Sequence, residues 1–70
     1  MMKSTILDGW PQLGGGVRYL VGVADGEADI EVTVDMNRQG GLSAFVRRCE
    51  PPNAAELRKS ACNAVRDQYR

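Results

Sequence analysis

"DIEVTVDMN", residues 29 to 37, decides the fold of this 70-residue chain. Ile30, Val32, Val34 and Met36 alternate with Asp29, Glu31, Thr33 and Asp35, the two-residue period of a strand with one face buried and the other in water. Such a strand belongs in an antiparallel sheet, because a parallel strand, buried on both faces, reads as an unbroken apolar run.

Working outward, "VRYLVGV" (residues 17 to 23) places Val17, Tyr19, Val21 and Val23 on one face of a preceding strand. Between the two runs, Asp25-Gly26 suits the positive φ angles of a tight hairpin turn. On the other side "RQGG" (38 to 41) turns the chain into "LSAFVRRCE" (42 to 50), which reads as a third strand. It admits two registers. One points Leu42, Ala44 and Val46 at the core and leaves Phe45 and Cys49 outside; the other buries Arg47. The first is preferred, because an interior Arg without a partner costs far more than an exposed Phe. Pro51-Pro52 ends the strand, since neither residue can donate a ladder hydrogen bond.

The closing stretch "PPNAAELRKSACNAVRDQYR" (51 to 70) predicts a helix with Asn53 as N-cap and Glu56 three residues in. Ala54, Leu57, Ala61, Ala64, Val65 and Tyr69 share one stripe, and their small size suits close packing on a sheet. The far side carries Lys59, Asn63, Arg66 and Arg70. At the other end "GWPQLGGG" (9 to 16) reads as a loop with a glycine hinge. Ile6, Leu7, Trp10 and Leu13 give that N-terminal segment enough apolar surface to close over the body as a lid.

These readings predict an α+β fold with a three-stranded antiparallel sheet in β-β-β-α order and one C-terminal helix packed on one face. The whole chain forms a single small domain: a docked N-terminal loop segment (1–16), the sheet (17–50) and the helix (53–70). A core this small gives only a few kcal/mol of net stability, and dimerisation is a common supplement.

Net charge is zero, which removes the simplest argument for a nucleic-acid or anionic-membrane partner. Residues 1–37 nevertheless hold six carboxylates against two basic groups, and residues 38–70 hold seven basic groups against three carboxylates. No apolar run approaches the ~18 residues of a membrane span, and "MMKSTILDGWPQLGGG" lacks the apolar stretch of a signal peptide. A cytoplasmic location is expected.

The chemistry is limited by residue types. With no histidine in the chain, neither a Cys-His nor a Ser-His dyad can form. Cys49 and Cys62 are two ligands short of a structural zinc site, and a bridge between them needs Cys49 turned inward, against the preferred register. "LGGGVRY" lacks the Lys-Ser/Thr of a phosphate loop and precedes a strand. "DMNRQGG" opens like a calcium loop, yet position 12 is Val46 where a bidentate Glu is required. Glu31 and Asp35 share an open strand face with no cleft to raise a carboxylate's pKa. No catalytic residue, cofactor site or metal site is expected.

The sequence therefore predicts a small non-catalytic protein-binding module, an adaptor, inhibitor or accessory protein, acting as a homodimer. Its interface would combine Leu20 and Phe45 as apolar anchors with Glu31 and Asp35 facing a basic partner surface. The alternative is a nucleic-acid-binding accessory protein using Lys59, Arg66 and Arg70 on the helix.

Overall fold

The computed structural model of the chain describes residues 2–26, 28–47 and 51–68. Four strands and a helix follow in order: β1 (Met2–Pro11), β2 (Val17–Asp25), β3 (Ala28–Met36), β4 (Leu42–Val46) and α1 (Ala54–Gln68). The strands form one antiparallel meander in the order β1-β2-β3-β4. Helix α1 lies across one face and touches all four strands.

The alternation of β3 does what its pattern requires. Val32 and Val34 are fully buried beneath α1, as are Val21 and Val23 of β2, and Tyr19 is nearly so. From above, Leu57, Ala61 and Val65 complete the core, with Ala54 at its margin. Two alanines among these four contacts let the helix axis approach the sheet closely, so the single large side chain, Leu57, fills the centre. Two side-chain bonds fix its position: Ser60 Oγ meets Ser4 Oγ of β1 at 2.6 Å, and Asn53 Nδ2 donates to Asp25 Oδ2 at 2.6 Å. The Asn53 carbonyl accepts from Leu57 N at 3.1 Å, so the helix starts where the capping pattern placed it.

The third predicted strand is β4, in the preferred register: Leu42, Ala44 and Val46 are half-buried on the helix side and Phe45 is exposed on the other. The sheet, however, has four strands where the sequence reading has three, and the predicted N-terminal lid is strand β1. A β-bulge hides it from pattern reading. Met2, Ser4 and Ile6 face the helix side, but the register shifts between Ile6 and Asp8, with Leu7 as the extra residue. Beyond it Gly9 takes the helix side, pairing with Tyr19, while Asp8 and Trp10 turn outward opposite Leu20 and Arg18. A bulge inverts the phase of the strand, so one alternation cannot run through it. Gly9 is required there, because a Cβ would lie 2.9 Å from Tyr19 Cδ1.

The triple glycine is a closed hairpin turn rather than a hinge. Gln12 N donates to the Gly16 carbonyl at 3.1 Å, and Gly16 (φ +90°) lies so near Met36 that a Cβ would collide with its carbonyl oxygen. The expectations for Cys49, Tyr69 and Arg70 fall outside the described residues.

Candidate interface: the open face of the sheet

Alternation along each strand builds two faces, and α1 covers one. The other carries four cross-strand rows, the one nearest the β2–β3 turn being Lys3, Ala24 and Asp29. In the middle row Asp8, Leu20, Thr33 and Phe45 stand side by side on β1 to β4. On one side of it run Trp10, Arg18, Asp35 and Ser43. On the other run Thr5, Gly22 and Glu31, with Arg47 N bonded to the Glu31 carbonyl at 3.1 Å. Leu7, displaced by the bulge, lies over Gly22, whose added Cβ would be 3.1 Å from Leu7 Cδ1.

Apolar surface on this face is concentrated at its two edges. Leu7 is 56% exposed and Trp10 42% on β1, and Phe45 is 56% exposed on β4. With strands about 4.8 Å apart, the two apolar edges are separated by about 14 Å, and half-buried Leu20 lies between them. The sequence reading placed Leu20 and Phe45 on this face, and the structure brings them into one row with Thr33. It missed Leu7 and Trp10, which were assigned to the lid.

Two ion pairs on the face close within the chain, and Lys3, Asp8 and Asp29 are exposed beside them. Arg18 Nε donates to Asp35 Oδ1 at 2.6 Å and Nη2 donates to Oδ2 at 2.9 Å, a two-point contact between neighbouring strands. The bond from Arg18 holds the Asp35 carboxyl below the usual carboxylate range, partly opposed by burial, and Asp35 in turn raises Arg18. Arg47 Nη1 reaches Glu31 Oε2 at 3.2 Å. Glu31 and Asp35, expected to face a basic partner, thus each have a basic neighbour, Arg47 just past the end of β4 and Arg18 on β2.

The other predicted residues lie elsewhere. Lys59 and Arg66 are exposed on the outward side of α1, two turns apart, and Arg66 Nη1 donates to Asn63 Oδ1 at 3.4 Å. Cys62 carries a free thiol, half-buried against the core, and burial pushes its pKa up. A groove of about 410 Å³ follows β1 at the bulge, lined by Leu7, Asp8, Trp10, Pro11, Tyr19 and Gln68 among others; Asp8 Oδ1 there accepts from Gly9 N at 2.8 Å. In the β3–β4 turn, Asn37 Oδ1 accepts from Gln39 N and Gly41 N at 3.0 and 2.7 Å, so the resemblance to a calcium loop is the signature of a self-capped turn.

No family model, curated protein or solved structure matches this chain. Among the described residues, no helix is long and apolar enough to cross a membrane.

Proposed function

We propose that the chain is a non-catalytic protein-binding module whose working surface is the open face of the sheet. One observation carries this reading: a four-stranded sheet covered by a helix on one side leaves Leu7, Trp10 and Phe45 substantially exposed on the other. Single exposed apolar residues need no explanation, but three large ones at the two edges of the face that no element covers, with half-buried Leu20 between them, support an interaction surface.

The test is site-specific photo-crosslinking in cells, with a benzoyl-phenylalanine at position 45 on the open face and another at Lys59 on the outward side of α1. A protein adduct from position 45 that position 59 does not give supports the reading, whatever the mass of the captured protein. Equal capture from both positions, or none from position 45, overturns it.

A further inference from the structure

From the arrangement of charge and apolar groups we infer that the occupant of the open face is a second copy of this chain, docked about a two-fold axis that runs parallel to the strands between β2 and β3. The inference rests on the reading of that face as a binding surface and goes on to name the partner and the pairing.

A two-fold axis in this direction reverses the order of strands, so β4 of one copy lies over β1 of the other and β3 over β2. Phe45 then lies over Asp8 of the second copy, with that copy's Leu7 and Trp10 on either side, and this contact occurs twice. All three exposed side chains of the face are covered by one operation. The charged row is self-complementary under the same operation. Arg18 stands on β2 and Asp35 beside it on β3, so reversal places Arg18 over Asp35 of the second copy and Asp35 over its Arg18. Charges then alternate around a square. In the third row Glu31 comes over Gly22 of the second copy, against the Leu7 side chain that lies on that glycine.

The other in-plane axis, perpendicular to the strands through the middle row, is disfavoured by the same map. It lays Phe45 on Phe45 and brings Asp35 opposite Glu31, like charges in contact. The Arg18–Asp35 and Arg47–Glu31 pairs close within the chain. The extent of the face also suits a dimer. At about 3.3 Å per residue and about 4.8 Å between strands, the four strands project to about 500 Å². Side-chain relief raises the accessible area toward the roughly 800 Å² per partner of a standard interface. Two such sheets pack about 10 Å apart with strands rotated by about 30°, the geometry of a sandwich whose outer layers are the two helices.

The experiment uses light scattering on a sizing column, with circular dichroism to establish folding. Wild type, Phe45→Glu, Trp10→Lys and an equimolar mixture of the two variants are compared. The expected result is a dimeric wild type, two folded monomeric variants, and a mixture that dimerises again, because Glu at 45 meets Lys at 10 on one side while the other side keeps the native contact. A wild type that stays monomeric up to its solubility limit overturns the second-copy occupant and leaves the protein-binding reading to the crosslinking test. A dimer untouched by both variants overturns the use of this face altogether. Variants that are monomeric alone and remain so when mixed overturn the pairing. Should a variant fail to fold, the crosslinker at position 45 of the otherwise native chain decides: a dimer adduct mapped to residues 7–11 of the second copy supports the pairing, and one mapped to residues 42–46 overturns it.

Discussion

Arg18 and Asp35, seventeen residues apart in the chain, meet across β2 and β3 through two hydrogen bonds of 2.6 and 2.9 Å. The pair converts the most regular acidic alternation in the sequence into a locally neutral surface. It also makes a prediction about acid. Because the folded-state pKa of Asp35 lies below its ordinary value, its stabilising contribution is complete above the unfolded-state pKa and is lost as pH falls through the folded one. Urea unfolding of wild type and Asp35→Asn is therefore expected to differ by a small amount at pH 7, as befits an exposed pair. The difference should vanish at a pH below the folded-state pKa. A gap that persists there would assign the effect to packing instead.

Leu57 is fully buried at the centre of the helix-sheet contact, surrounded by β-branched side chains and alanines that cannot expand into a void. Leu57→Ala should cost about 2–5 kcal/mol. A domain of this size has little more than that in total. The variant is expected to be largely unfolded at 25 °C, visible as loss of the far-ultraviolet dichroism of sheet and helix. Retention of a cooperative transition near the wild-type midpoint would contradict the placement of Leu57 in the core.

Two glycines of one turn separate conformational strain from collision. Gly14 (φ +86°) has nothing within 4 Å of a built Cβ, whereas Gly16 (φ +90°) faces the Met36 carbonyl. Gly14→Ala should therefore lose about 1 kcal/mol, the penalty of a left-handed backbone, and Gly16→Ala distinctly more. Chemical denaturation of both variants reads the difference. Equal losses would mean that the turn does not pack on β3.

Cys62 is half-buried and its thiol pKa is raised, chiefly by burial and against the pull of Arg66. The thiolate is the reactive species, so its fraction at neutral pH is lower than in an exposed cysteine. In a Cys49→Ser background, which isolates this thiol, modification by a disulfide reagent at pH 7.5 should be several-fold slower than for the same chain in urea. Equal rates would show that the helix frays at Cys62.

Legibility in the sequence followed from how local each determinant is. The facing of β3 is written in its own nine residues, and that of β4 followed from the cost of burying Arg47. Leu57, Ala61 and Val65 gave the helix face by spacing alone. The bulge at Leu7 reverses the faces of β1 midway, so its two half-patterns cancel, and Gly9 and Pro11 further disguise an edge strand. The ion pairs were closer to hand than they seemed. A two-residue turn after Asp25 fixes Arg18 opposite Asp35, but the sequence reading treated β3 as an isolated stripe and did not carry the register across.

Trp10 offers a direct view of the open face, since it is the single tryptophan of the chain. In one copy it is 42% exposed at the edge of the sheet, opposite Arg18. Its emission in dilute solution should be that of a partly hydrated indole and should be quenched by acrylamide. In the proposed dimer, Phe45 of the second copy lies beside it, so raising the concentration should shift the emission to shorter wavelength and reduce quenching. Phe45→Glu should abolish that concentration dependence while leaving the dilute spectrum unchanged, because Phe45 lies at the opposite edge of its own sheet, about 14 Å away. A spectrum independent of concentration in wild type, or a dilute spectrum already altered by Phe45→Glu, would show that Trp10 does not meet Phe45 across two copies.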